Sequence, residues 1–358
     1  MNRTYFLNHS PIEFYFKQSA RDFVVDEIPL YEFSGEGEHL VLHVRKKNLT
    51  TWEMCEKISS YLKIKSRDIG YAGLKDKNAL TKQYISIHKK YEETIDAMDI
   101  ENIKVLEKTY HNNKIKTGHL KGNRFFIRVK KVSPLNATKL TNALEEIAKY
   151  GMPNFFGYQR FGIHGDNYKL GKEIVEGARK EKNRRLKQLY INAYQSHLFN
   201  SWLSTRISYS KLIDGKNSAE IRAVINGIED EEINELLAQE HPFKLFRGDL
   251  MMHYPYGRVF EYSSEDYARF LEKDISPTGL LCGKRVKNSI QTALEIEKEY
   301  IQEMQEDGAR RYAWVYPQDI ESEYKENDAW FELHFSLPKG SYATTLLEEL
   351  AKRGVNNE

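Results

Sequence analysis

The chain is poor in cysteine and in long apolar runs, and each shortage excludes a class of protein. Its 358 residues include only two cysteines, Cys55 and Cys282, which match no metal-binding spacing. We therefore expect free thiols in a reducing compartment. No apolar run approaches the length that spans a bilayer. The first segment, MNRTYFLNHSPIEFYF, lacks the apolar core of a signal peptide, so the sequence predicts a cytoplasmic protein that does not associate with membranes.

Net charge is also small, at +2, but its signs are segregated along the chain. Between Lys108 and Val132 there are eight Lys or Arg residues and no Asp or Glu. The segment 179–187 holds six more basic residues against Glu181 alone. Such segregation is typical of a protein with one strongly positive face that binds nucleic acid. The alternative is that each run is a solvated face without a ligand.

The hydrophobic pattern predicts strands and helices in no strict βαβ order, and hence an α+β fold. Thr50 and Glu53 form the pattern of a capping box at the start of a helix. Asn136 is expected to cap a second helix over 137–150. The pattern after residue 153 predicts longer helices at about 168–178, 187–206 and 229–240 and a charged one near 287–307, while residues 205–245 match no family pattern. Met152-Pro153 is the best candidate for a domain boundary. Strands are predicted at 23–28, 39–45, 69–72, 84–88, 103–110, 124–130 and 330–336.

The segment from Gly70 to Gln83 carries the strongest chemical signal. It is a short strand that opens into a turn, GYAGLKDKNALTKQ, with one acid, Asp76, among three lysines. Nearby cations keep a carboxylate ionised, which suits a nucleophile. Glycosidases need a pair of carboxylates, and Mg²⁺-dependent nucleases need several acids together, so neither class fits this segment. The alternative is a solvated turn in which the carboxylate of Asp76 caps the backbone.

The same segment resembles the catalytic motif of the tRNA pseudouridine synthase D family, A-G-x-K-D-x-x-A-x-T-x-Q, which residues 72–83 match in full. Four further segments resemble the family, so the similarity spans nearly the whole chain. They are RDFVV at 21–25 with GEGEH at 35–39, LKGNRF at 120–125, PNFFGYQRFG at 153–162 and LPKGSYAT at 337–344. The resemblance implies a catalytic domain with a mixed, mainly antiparallel sheet flanked by helices, residues 1–152 and 305–358. An inserted α/β domain, residues 153–304, would interrupt it.

The resemblance also implies a role for individual residues. Asp76 would be the nucleophile, and Asn123 would hold the uracil through its amide. Phe23 and Tyr342 stand where the family has aromatic residues that line the uridine pocket, and Phe125 is placed to stack on the flipped base. For these rings, ordinary core packing is the alternative.

Basic residues near the motif are assigned more loosely. Lys75 reaches Asp76 only if the turn starts there, and otherwise reaches RNA phosphate or another acid. Lys17 stands at a position that is also basic in the family and is the other candidate partner of Asp76. Lys121 and Arg124 are expected to contact the RNA backbone.

The function implied is isomerisation of one uridine of tRNA, uridine 13 of the D arm, to pseudouridine after base flipping. The family resemblance implies no cofactor and no metal, and we expect a monomer that needs no protein partner. Whether Asp76 attacks C1′ or C6, or acts as a base at C2′, stays open at this point. A non-catalytic RNA-binding protein that uses the same basic groove is the competing hypothesis. A nucleoside or glycoside hydrolase is disfavoured by the missing second acid.

Overall fold

The structure is a computed structural model that describes residues 3–16, 19–77, 79–162, 164–225 and 227–355. Strands and helices alternate irregularly in it, as expected for the α+β class. The strands are β1 Phe23–Pro29, β2 His39–Lys47, β3 Gly70–Tyr71, β4 Leu80–His88, β5 Ile103–His111, β6 Leu120–Lys130, β7 Met152–Pro153, β8 Leu250–His253, β9 Val259–Glu261, β10 Ile275–Leu281, β11 Ala309–Tyr312, β12 Trp314–Val315, β13 Gln318–Lys325 and β14 Trp330–Pro338. The helices are α1 Thr51–Leu62, α2 Glu92–Asp96, α3 Pro134–Tyr150, α4 Asn167–Val175, α5 Arg184–Asp214, α6 Ser218–Val224, α7 Asp230–Ala238, α8 Tyr267–Leu271, α9 Gln291–Glu297 and α10 Ala343–Ala351.

Two compact units divide the chain. The sheet unit comprises Pro11–Leu144, Pro317–Gly340 and Gly354–Glu358, and the helical unit comprises Met1–Ser10, Glu145–Tyr316 and Ser341–Arg353. The first segment of the sheet unit thus ends ahead of Met152-Pro153, and α10 belongs to the helical unit. The domain limits expected from the sequence stay a prediction, because compactness and the domain limits of a family are different properties.

The sheet unit is built on a mixed, mainly antiparallel sheet. Its strand order is β13-β14-β6-β1-β4-β2-β5, with β3 paired to β4. Only the pairing of β1 with β4 is parallel among the described strands, and the other neighbours are antiparallel. This arrangement confirms the predicted sheet type and places the catalytic-motif segment between β3 and β4.

Helix α1 covers one face of this sheet. Thr50 accepts a hydrogen bond from the amide of Glu53, and the Glu53 carboxylate accepts one from the amide of Thr50, which confirms the predicted capping box. The side chains of Met54, Ile58 and Leu62 pack against β2 and β4 in a buried cluster. Full burial of an aliphatic side chain stabilises a fold by about 1.5–3 kcal/mol, so this packing fixes the helix on the sheet.

The helical unit surrounds α5, whose 31 residues are the longest helix described. A buried ion pair lies inside it, with the guanidinium of Arg206 2.6 Å and 2.7 Å from the two carboxylate oxygens of Asp249. A four-stranded sheet, β11-β10-β8-β9, packs in the same unit. None of the described helices, α5 included, is both long enough and apolar enough to cross a membrane.

Three local predictions are wrong. Helix α3 starts at Pro134, not after Asn136, and Ser133 Oγ accepts from the amide of Asn136; proline is well suited to the first helical position. The charged segment 287–307 is helical only over α9 and a short 3₁₀ turn, since charge pairs stabilise a helix less than tertiary packing does. The helix predicted at 187–206 is present, but its predicted end is wrong, because α5 runs from Arg184 to Asp214.

Candidate active site

A loop of residues 72–79 carries Asp76 between β3 and β4. Its ends are anchored by small buried side chains, Ala72 and Ala79, which are 2% and 0% exposed. Asp76 itself is half-buried. Larger side chains at the two alanine positions would meet packed neighbours, so the alanines of the motif fix where the loop begins and ends.

A chain of hydrogen bonds ties the loop to α1 and β4. The amide of Lys75 donates to Thr51 Oγ1 at 2.9 Å, and the hydroxyl of Thr51 donates to Gln83 Oε1 at 3.0 Å. Thr51 and Gln83 are buried. Each buried hydrogen bond contributes about 0.5–1.5 kcal/mol, and loss of one partner costs more. Gln83, the last residue of the motif, therefore helps to fix the backbone of Lys75, the residue that precedes Asp76.

Lys46, near the end of β2, contacts the backbone of the loop that carries Asp76. Its side chain is fully buried, and its Nζ donates to the carbonyl oxygens of Asp76, at 3.0 Å, and Leu49. Burial lowers the pKa of Lys46 to about 8, although the negative charge of Asp76 acts in the opposite direction. Lys46 is not recognisable from the sequence, because a basic residue at the end of a strand resembles an ordinary exposed one.

The lysines beside Asp76 in the sequence have carboxylate partners of their own. Lys77 pairs with Glu53 at 2.8 Å, and Lys82 pairs with Asp26 at 3.2 Å. The carboxylate of Asp26 also lies 3.2 Å from His43, and its pKa is lowered by these two partners against the effect of burial. These two lysines thus pair with carboxylates other than that of Asp76.

Lys75 makes the most informative contact of the three. Its Nζ lies 2.6 Å from Glu27 Oε2 and donates to Asn123 Oδ1 at 2.8 Å. The side chains of Lys75 and Glu27 are only 5% and 1% exposed. Asp76, RNA phosphate and another acid were the possible partners of Lys75, and in the structure the partner is another acid, Glu27. Burial raises the pKa of Glu27, while the ammonium of Lys75 lowers it.

This contact fixes the orientation of the Asn123 amide. An ammonium group only donates hydrogen bonds, so the atom of Asn123 that faces Lys75 has to be the oxygen. The amide nitrogen, with its two donors, points the other way. Asn123 follows Gly122, where a Cβ atom would lie 2.1 Å from the carbonyl oxygen of Leu337, so only glycine allows β14 to approach here.

Phe23 and Phe125 lie on the same face of the sheet as Asn123, because side chains alternate along a strand. Their rings stack at 6.2 Å, and Phe125 also stacks on Phe335 at 5.3 Å. Phe23 and Phe125 are 2% and 6% exposed. The structure therefore brings Asn123 together with two of the three predicted rings and adds Phe335, which no motif marked.

The other predicted residues are placed as follows. Tyr342 lies in the helical unit, before α10, where its ring packs against Phe156 and Gly157. Lys121 and Arg124 are exposed on β6, and strand alternation puts Arg124 on the opposite face from Asn123. Lys17 lies outside the described residues.

The PNFFGYQRFG segment has a structural role in the helical unit. The Asn154 side chain donates to the carbonyl of Tyr312 and accepts from Arg311 at 3.0 Å. The Asn200 side chain bonds both the amide and the carbonyl of Phe156. Arg311 lies 3.9 Å over the ring of Phe156, an attractive cation–π contact.

Comparison with known proteins gives a consistent result over the whole chain. The model of the tRNA pseudouridine synthase D family matches residues 1–182 and 176–350. Proteins named tRNA pseudouridine synthase D are 57% identical in Sulfurimonas denitrificans, over 99% of this chain and 100% of the relative, and 58% identical in Nitratiruptor sp., over 100% of both. A crystal structure of a protein assigned to tRNA pseudouridine synthase D from Methanosarcina mazei has a TM-score of 0.67 and 24% identity, and the match covers 99% of this chain and 97% of that one. At that identity the last similarity concerns the fold alone.

Proposed function

The chain belongs to the tRNA pseudouridine synthase D family, and on that premise we propose that it isomerises uridine 13 in the D arm of tRNA with Asp76 as the nucleophile. The broader activity, that of a pseudouridine synthase and hence an isomerase, follows from family membership. The observation that supports the role of Asp76 is the way its loop is held. Buried groups on α1, β2 and β4 fix the backbone on both sides of this one half-buried carboxylate.

The chemistry proposed is an isomerisation in which atoms balance without a cofactor. The bond between C1′ and N1 of the uridine breaks, the uracil turns, and a bond forms between C1′ and C5. The proton on C5 leaves to solvent, and N1 gains one. The carboxylate of Asp76 attacks C1′ or C6, or removes a proton from C2′, and the three routes share the same net reaction.

Extrusion of the nucleotide from a folded tRNA costs about a few kcal/mol. Stacking of a base on an aromatic side chain returns roughly 1–3 kcal/mol. In this proposal Phe125 and Phe23 line the pocket for the flipped base, and the amide nitrogen of Asn123 donates to a uracil carbonyl; the pocket role expected of Tyr342 stays a prediction. Lys75 holds the amide of Asn123 instead of touching the base. The enzyme acts as a monomer in the cytoplasm.

The decisive experiment replaces Asp76 by Asn, which keeps the size of the side chain and removes its charge. We expect tRNA binding to be retained and tritium release from C5-labelled tRNA to fall to background. The matched control is Asp99→Asn, which alters an exposed carboxylate of the same unit and should leave turnover unchanged. Normal turnover by the Asp76 variant would refute the nucleophile.

The site within tRNA is tested separately. A tRNA transcript in which uridine 13 is replaced by cytidine should give no product, while a transcript altered at another uridine of the D arm should react normally. Mapping the modified position in tRNA from cells that lack the protein gives the same information in vivo. Pseudouridine formed at full yield in the altered transcript would show that the target is a different uridine.

A further inference from the structure

A basic cavity opens at one end of the sheet, where β1, β4 and β5 begin and β2 ends. Its volume is about 260 Å³. The lining contains five cations and no carboxylate; it comprises Arg21, Arg45, Lys46, Lys47, Leu80, Asn102, Ile103 and Lys104. Four of the five cations are exposed, and only Lys46 is buried. A ligand can therefore enter from solvent and meet several positive charges at once.

The carboxylates around this end of the sheet are already engaged. Asp22 pairs with Lys130, Asp26 with Lys82, and Glu53 with Lys77. By contrast, no ion pair within the described part of the chain involves any of the five cations that line the cavity. Among these five cations, Lys46 is acted on by the negative charges of Asp76 and Glu53.

Strand register places like charges side by side. Arg45 on β2 lies directly opposite Lys104 on β5 and opposite Lys82 on β4. Like charges in such cross-strand positions destabilise a sheet, by up to about 1 kcal/mol for each pair. The row continues through Asp26 on β1 to Arg124 on β6. Across these five strands it spans about 19 Å at a strand spacing of about 4.8 Å.

The cavity adjoins the loop that carries Asp76. Leu80, which lines the cavity, is the first residue of β4 and directly follows the loop. Lys46, another lining residue, donates from its Nζ to the carbonyl oxygen of Asp76 at 3.0 Å. An anion in the cavity would therefore lie close to the segment that positions the carboxylate.

We propose that this cavity binds a backbone phosphate of the RNA substrate, held by Arg45, Lys47 and Lys104. The proposal rests on the proposed function and adds to it the place where the RNA backbone is anchored. Arginine and lysine are the common phosphate-binding side chains, and a guanidinium binds two phosphate oxygens at once. The exposed position of the cations suits a polymer that lies across the opening.

The test removes two of the cations, as Arg45→Ala/Lys104→Ala, and measures affinity for an unmodified tRNA transcript over a range of salt concentrations. Each phosphate that the protein neutralises contributes roughly 0.7–0.9 to the slope of log affinity against log salt. We expect the slope to fall by about 0.7–0.9, the contribution of one phosphate, and the affinity at 0.1 M salt to fall about fivefold to eightfold. Ethylation of single phosphates of the transcript identifies the anchored one, since its modification should weaken binding to the wild type but not to the variant.

Lys89→Ala is the matched control. Lys89 is exposed and follows the last residue of β4, at the end of the strand opposite to the cavity, about 30 Å from Leu80 at about 3.3 Å per residue. It should leave affinity, slope and turnover unchanged. The conservative variant Arg45→Lys should keep most of the slope, and thermal unfolding confirms that each variant is folded.

Two outcomes would overturn the proposal. One is a slope for Arg45→Ala/Lys104→Ala equal to that of Lys89→Ala. The other is competition by millimolar inorganic phosphate at constant ionic strength without any ethylation-sensitive phosphate, which would make the cavity a site for a small anion. Failure of the proposed function would give a different result: wild-type protein would bind tRNA with the expected salt slope but would form no pseudouridine.

Discussion

Replacement of Lys46 by Met tests how the loop of Asp76 is held. Methionine is similar in length but carries no charge and donates no hydrogen bond. The carbonyl oxygens of Asp76 and Leu49 would each lose a donor. We expect the loop to lose its fixed geometry, so that kcat for pseudouridine formation falls by at least tenfold while tRNA affinity changes little.

The effect on stability depends on pH, and its sign follows from linkage. The pKa of Lys46 is lowered from its ordinary value of 10.5 to about 8 in the fold. Between these two values the unfolded chain binds more protons than the native protein, so wild-type stability rises with pH over this window. At about 1.4 kcal/mol per unit of pKa, the whole gain is about 3 kcal/mol. Below pH 8 the same quantity is the cost of keeping the ammonium buried.

Chemical denaturation of both proteins from pH 7.5 to 10.5 is the assay. In Lys46→Met at pH 7.5, removal of the buried charge stabilises the folded protein. The two carbonyl oxygens left without a donor destabilise it by about 1–3 kcal/mol each, so that the two effects nearly cancel. With rising pH the wild type should gain about 3 kcal/mol relative to the variant, and the tyrosines that titrate in both proteins drop out of the difference. A difference that stays constant across this range would refute the reasoning.

Other substitutions probe the remaining contacts. Glu27→Gln leaves the ammonium of Lys75 buried without a counter-charge, so the free energy of unfolding measured in a urea titration should fall by about 3–5 kcal/mol, and kcat should also fall. The double variant Glu27→Gln/Lys75→Met should recover much of the stability but not the rate. Asp249→Asn likewise leaves the buried Arg206 without a counter-charge and should lower the free energy of unfolding by about 3–5 kcal/mol, while kcat of the folded fraction stays unchanged. A variant as stable as the wild type would contradict this prediction. Arg124→Ala should lower the salt slope of tRNA binding by about 1, whereas Arg124→Lys should not; an unchanged slope places the RNA backbone away from β6.

Local patterns predicted much of the fold. The capping box at Thr50 and the alternation of β1 each depend on residues adjacent in sequence, and both are present in the structure. Helix α5 could not be bounded in this way. Its buried side includes Asn200 and Arg206, whose polar groups find partners outside the helix, in Phe156 and Asp249. The apolar periodicity is therefore interrupted.

The candidate site shows the same limit. The motif identified Asp76, but it also suggested that the neighbouring lysines surround the carboxylate. In the fold, Lys75 and Lys77 turn to Glu27 and Glu53, which are distant in sequence. Lys46 contacts the loop from β2. Pairings across strands decide which charges meet, and a single sequence contains no direct signal for them.

The hydrogen-bond chain from Lys75 through Thr51 to Gln83 has a consequence for how the enzyme meets its substrate. Reactive groups on loops are often brought into position when the loop closes after the substrate has bound. Here the backbone next to Asp76 is fastened to a helix and a strand before any RNA arrives. On the proposed role of Asp76, the adjustment that brings the reactants together therefore falls on the nucleotide.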